Sequence, residues 1–150
     1  MENEKKSKKK LYRAIAIAVV GMIIFGVVVM EMGVIILPSS NSNVVPQGKV
    51  IMLPTTSYHL VKFTVFGSGI FAGAISVAGS EILLFLLTPS AVENLQSSSG
   101  LQFVYTTGFI SNGSFNTTIG SGTYYVMFYN VNSHFSSMVT INSLTFTYTT

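Results

Sequence analysis

The sequence predicts an all-β fold, a seven- or eight-stranded antiparallel β-sandwich of jelly-roll-like type preceded by one N-terminal transmembrane helix. Three observations carry this expectation. From Gly48 onward, runs of β-branched and aromatic residues alternate with Gly, Ser, Asn and Pro breaks at spacings of roughly ten residues, the pattern of short antiparallel strands. Before them, Ala14 to Met30 gives 17 consecutive residues without a charge. Finally, charge is scarce and one-sided: 9% of the 150 residues are charged, and six of the eight cations (Lys5, Lys6, Lys8, Lys9, Lys10 and Arg13) precede residue 14.

The N-terminal elements follow from hydropathy and charge. Seventeen residues at 1.5 Å each span roughly 26 Å, close to a hydrocarbon core of ~30 Å, and apolar character resumes after Glu31 through Leu37. The basic block KKSKKKLYR lies directly before this run, which places the N-terminus in the cytoplasm and the remainder outside. A cleaved leader shares the basic flank, but its apolar core is shorter and ends at a small-x-small site, which MEMGVIILPSS does not offer. The expected organisation is a basic tail over 1–13, a signal anchor in lipid over 14–37, a Ser-, Asn- and Pro-rich linker over 38–47 and an extracytoplasmic sandwich over 48–150. Glu31 falls near the far interface, where a carboxyl reaches the headgroups.

Within the sandwich, Tyr58 to Phe66 alternates Val61, Phe63 and Val65 against Lys62 and Thr64, a half-buried strand closed by Gly67-Ser68-Gly69. Strands over Ile70–Ala78 and Ile82–Leu87 follow, the second apolar on both faces and therefore central. Read as one piece, residues 70–87 also suggest a second membrane helix, against which stand Glu81 and the small residues diluting it. Ser90 is expected to cap a short helix with Glu93 at the capping-box position, a structural duty for that carboxylate. Four further strands are expected over Phe103–Thr106, Ser114–Ile119, Thr123–Asn130 and Met138–Tyr148, the last with a bulge around Asn142-Ser143.

The segment GSGTYYVMFYNVNS, a Gly turn leading into a Tyr-Tyr strand that ends in Asn, resembles the penultimate strand of archaeal and bacterial surface β-sandwiches of the GOLD-like and pre-peptidase C-terminal type. The order ILLFLLTP then SAVENLQ is similar to those domains too, so that residues 58–148 share the likeness. Here the anchor precedes the sandwich, unlike in GOLD-domain cargo receptors. The resemblance implies a binding or structural module and brings no catalytic or ligand residues with it.

Composition narrows the function classes further. Beyond Arg13, Lys49 and Lys62 stand against Glu31, Glu81 and Glu93, so no folded basic face exists for nucleic acid. The absence of Cys removes thiolate metal sites and disulfides. Past residue 37 the chain has no Asp and only His59, His134, Glu81 and Glu93 as candidate acid–base or metal-ligating groups. It has no G-x-S-x-G elbow, so neither an enzyme nor a cofactor is expected, and both histidines read as surface residues. Tyr124, Tyr125 and Tyr129 are either cross-strand packing or a binding surface of aromatics. Asn112-Gly113-Ser114 and Asn116-Thr117-Thr118 are two N-glycosylation sequons in one expected loop. Residues 38–150 hold 18 Ser, 14 Thr and 8 Asn against four Lys or Glu, a hydroxyl- and amide-rich surface with little to titrate. The composite expectation is a single-pass envelope protein of archaeal type whose partner is another envelope protein, such as a surface-layer or filament subunit. A solute- or glycan-binding surface domain and a viral membrane protein share these features.

Overall fold

The computed structural model describes residues 28–30, 33–36, 42–95 and 101–149. The basic tail and residues 14–27 lie outside them. The described residues form two sheets packed face to face, the all-β sandwich that the strand pattern predicts, but with eleven strands in place of the expected seven or eight, because short strands form within the stretches read as anchor and linker.

One sheet runs in the order β1 (Val28–Met30), β5 (Tyr58–Val65), β10 (Gly122–Tyr129), β7 (Ile82–Leu87) and β8 (Tyr105–Ile110), with β2 (Val34–Ile36) also on β5. The other runs β3 (Ser42–Asn43), β11 (Ser137–Tyr148), β6 (Gly69–Gly79) and β9 (Asn112–Ile119), with β4 (Val50–Leu53) also on β11. Pairing is antiparallel except where β1 and β2 lie parallel to β5, Val28 opposite Tyr58 and Val34 opposite Phe63.

Alternation builds the core. Val61, Phe63 and Val65 point inward as expected and meet Phe71, Ile75, Leu144 and Phe146 from the facing sheet. Phe63 stacks on Phe71 at 5.3 Å between ring centres, and Phe71 meets Phe115 at 5.8 Å. Gly73 makes room for that aromatic pair, because a Cβ there would stand 2.5 Å from the Phe115 ring. Strand β7 is interior, as its two-sided apolarity requires. Ile82, Leu84 and Leu86 enter the sandwich core, while Leu83, Phe85 and Leu87 face outward into a second cluster with Tyr58, Met127 and Tyr129. Helix α1 (Pro89–Glu93) contributes Ala91 to this cluster, so the first sheet is covered on both sides. The bulge also falls where the sequence places it, with register shifting between Ile141 and Ser143.

Several expectations are corrected. The anchor expected over 14–37 does not continue as helix into residues 28–30 and 34–36, which are strands, and Ile36 is fully buried. An apolar run rich in β-branched residues suits a strand as well as a membrane helix, and here Val28–Met30 and Val34–Ile36 are strands, with Ile36 turned to the core and Ile35 exposed. The linker expected over 38–47 is part of the fold where it is described: Val44 and Val45 are buried, and the Val44 N–H donates to the Leu144 carbonyl at 2.7 Å. Residues 70–87 divide between the two sheets as β6 and β7, which excludes a membrane helix there. Among the described residues no helix is long and apolar enough to cross a membrane. The cap of α1 is Thr88, whose Oγ1 accepts from the Ala91 N–H at 3.3 Å, with Pro89 in the first turn. Proline needs no amide partner there and presets helical φ, so Ser90 moves inside the helix and Glu93 falls beyond the capping-box position.

Candidate interaction surfaces

Of the three expected binding aromatics, the structure brings no two onto one open surface. Adjacent residues of a strand face opposite ways, so Tyr124 packs toward the sandwich core, 5.8 Å from Phe63, while Tyr125 turns to the outer cluster beneath α1. Tyr129 is 1% exposed, with its ring edge-on to Tyr58 at 6.4 Å. Burial pushes the Tyr58 and Tyr129 phenols above their usual range. The Lys62 ammonium lies 5.8 Å from the Tyr125 ring centre, a cation–π contact at the sheet surface.

The four acid–base candidates are also dispersed. His59 is buried rather than exposed, on the inner face of β5 opposite Phe128. His134 is exposed in the β10–β11 connection, as expected, with Nδ1 2.9 Å from the Ser133 hydroxyl. Glu81 lies exposed between β6 and β7, and Glu93 exposed at the end of α1. Among the described residues no three of His, Asp, Glu or Cys gather to hold a metal ion.

What the fold does assemble is an uncharged sheet face. None of the five strands of the second sheet contains a charged residue. Its outer face is built of cross-strand rows such as Val50, Thr140, Ser76 and Asn112, then Thr145, Ala72 and Asn116. The Asn142 side chain donates to the Ser76 hydroxyl at 2.8 Å across it. Both sequons lie here, in edge strand β9 rather than in a loop. A strand repeats its facing every second residue, so Asn112, Ser114, Asn116 and Thr118 all point outward and all are exposed, each acceptor Asn on the same side as its hydroxyl partner.

A second assembled feature is the end of the sandwich where β5 begins. Asn130, fully buried, closes the Tyr-Tyr strand and clamps two further segments to it. Its Nδ2 donates to the carbonyls of Leu53, Pro54 and Phe135 at 3.2, 3.1 and 2.9 Å, and its Oδ1 accepts from the Asn132 N–H at 3.0 Å. Asn132 in turn accepts from the N–H groups of His134 and Phe135 at 2.8 and 2.9 Å. Thr56 is held at φ 51° there, its N–H on the Asn132 carbonyl at 3.0 Å. Gly79, at φ 103°, lies so close to β11 that a Cβ would meet the Ser136 carbonyl at 2.4 Å. This rigid end presents Phe135, 66% exposed, and Met52, 62% exposed and paired with exposed Met138.

No protein-family model matches the chain, and no curated protein does either. Solved structures give matches of fold only. They include the pre-peptidase C-terminal domain of a collagenase from Bacillus anthracis, 12% identical, over 74% of this chain and 95% of that one, TM-score 0.43. The periplasmic inhibitor of g-type lysozyme from Aeromonas hydrophila is 11% identical over 78% and 99% of the two chains, TM-score 0.49. A CBM4 structure is 5% identical over 60% and 61%, TM-score 0.40. The expected likeness to a pre-peptidase C-terminal domain is therefore present among the matches, at a level that carries no argument about function.

Proposed function

We propose that the protein is a membrane-anchored, extracytoplasmic module of the cell envelope that binds another envelope protein through the outer face of its second sheet and performs no catalysis. The observation that carries this reading is that uncharged face, continuous across four strands, displaying hydroxyls, amides and short apolar side chains. Such a surface is cheaper to cover than a charged one, provided its hydroxyls and amides find hydrogen-bond partners in the contact, whereas burying an ion costs several kcal/mol. The basic block before an apolar run is the sequence feature that supports the anchored reading and its orientation. Asn112 and Asn116, the candidate glycan sites, belong to the β9 edge of this same face, so sugar on either would compete with a docked partner there.

The test is crosslinking of the full chain in its native membrane, solubilisation, and mass spectrometry of both partners and of the Asn112 and Asn116 peptides. Crosslinks from β6, β9 and β11 to one envelope protein are the expected result. A chain that yields only self-peptides, or that is recovered in the cytoplasmic fraction, overturns the reading.

A further inference from the structure

We propose that β9 pairs with β9 of a second copy of this chain, antiparallel about a two-fold axis, so that the second sheets of the two copies run on as one. The ladder shows which backbone groups are free to do this. The Val77 N–H donates to the Ser111 carbonyl at 2.6 Å, which makes 77 and 111 a hydrogen-bonded pair, and in an antiparallel ladder every second residue repeats that pattern. Gly113, Phe115, Thr117 and Ile119 therefore turn their N–H and C=O groups to β6. Asn112, Ser114, Asn116 and Thr118 turn theirs to the other side, where the sheet order ends and no described strand follows.

The other described edges are broken, and this one is not. Strands β1 and β2 are three residues each, and β3 and β4 are two and four residues with Pro46 between them. Strand β8 shifts register between Leu84 and Phe85, with Gly108 at φ 71°. Strand β9 runs eight residues against β6 without a shift and holds neither proline nor charge. An edge left long, regular and uncharged is a template for strand addition.

Its own copy fits that template. Two-fold pairing keeps every side chain on its own face of the sheet, so each residue must meet one of like facing. Centring the axis on Phe115 sets Asn112 opposite Thr118 and Ser114 opposite Asn116 of the second copy, and all four outward residues of both copies then bond. Moving the centre by one residue leaves one of the four unpaired on each copy. The centred register also sets hydroxyl beside amide on the outer face, while Phe115, 7% exposed, stays turned into its own core. No like charges meet, because neither β9 nor β6 carries any. An unlike strand would have to be selected by charge or by side-chain pockets, and β9 presents four short polar side chains and backbone. Pairing uses up the one unbroken edge, so assembly closes at two copies. The inference goes beyond the docking face proposed above, which it extends across both copies, and it draws on the sandwich alone, whether or not the chain is anchored.

The chain contains no cysteine, so disulfide trapping reads the register directly. Full chains made in a host without N-glycosylation and held in mild detergent are used throughout. Ser114→Cys is mixed with Asn116→Cys and oxidised, with Ser114→Cys plus Thr118→Cys as the control displaced by one step. Facing residues of a hydrogen-bonded antiparallel pair stand about 5.5 Å apart at Cα, within disulfide reach. Expected are a 114–116 disulfide in several-fold excess over the 114–118 one and a two-chain species in sedimentation with density-matched detergent. Ser114→Pro should abolish that species, since the N–H it removes points away from β6 and the existing ladder keeps its bonds. Asn116→Lys, which guards the edge with charge, should do the same if the proline variant fails to fold. A chain that sediments as one copy, equal yields of the two disulfides, assemblies larger than two, or a dimer that survives Asn116→Lys overturns the pairing. None of these results touches the docking reading of the outer face, which the crosslinking experiment tests separately.

Discussion

Asn130 shows how much one side chain holds. Its amide bonds three carbonyls and one N–H from the end of β4 and the β10–β11 connection, and it is fully buried. Truncation leaves those groups without partners in the interior, each at about 1–3 kcal/mol. Asn130→Ala is therefore expected to destabilise the sandwich by about 3 kcal/mol, and Asn130→Asp, which keeps the shape and loses the donors, by at least as much. Urea unfolding followed by tyrosine fluorescence measures both, and a loss under about 1 kcal/mol removes Asn130 from this role. The residue was legible in sequence only as the end of the Tyr-Tyr strand. Its clamp was not, because its partner Leu53 lies 77 residues away along the chain, a separation that no local pattern encodes. His59 eluded the reading for a related reason. Tyr58, His59, Leu60 and Val61 are all buried because β5 is covered on both faces, and alternation is silent where both faces are covered.

Elements were legible in proportion to how far one face dominated them. The half-buried β5 beyond Val61, the two-sided β7 and the bulge in β11 stand where the sequence puts them, and β8 is displaced to Tyr105–Ile110, where Thr106 Oγ1 donates to the Leu84 carbonyl at 3.0 Å beside its own register shift. Strands β1 and β2 were hidden inside the apolar run. What fixes β2 is tertiary: Ile36 enters the core, and the Tyr148 hydroxyl donates to its carbonyl at 2.7 Å from the other sheet. For α1, competing cap assignments separate cleanly by mutation. Thr88→Ala removes the hydrogen bond to the Ala91 N–H and is expected to cost about 1 kcal/mol. Glu93→Ala, exposed at the far end, should stay within about 0.5 kcal/mol. Equal losses for the two would restore the capping box.

At the scale of the molecule, the sparsity of charge shapes the response to pH. The described residues contain two lysines, two glutamates and two histidines, the buried His59 among them, so few groups couple protons to folding on the acid side. The alkaline side is different, because Tyr58 and Tyr129 bury their phenols and hold them neutral to higher pH than the unfolded chain does. Their folded pKa is raised above the ordinary phenol value of 10.0, so the associated stability is intact below about pH 10 and is lost as pH rises through the folded values. Above that point the unfolded chain releases protons that the native state keeps, and unfolding gains. Denaturant midpoints of the full chain in mild detergent, taken from about pH 8 to about pH 11.5, should be level first and then fall. Tyr58→Phe with Tyr129→Phe should lower the plateau modestly and flatten the fall, since neither ring can then ionise. A fall of undiminished steepness in that double variant would assign the alkaline limb elsewhere and leave the outer cluster beneath α1 with a purely apolar role.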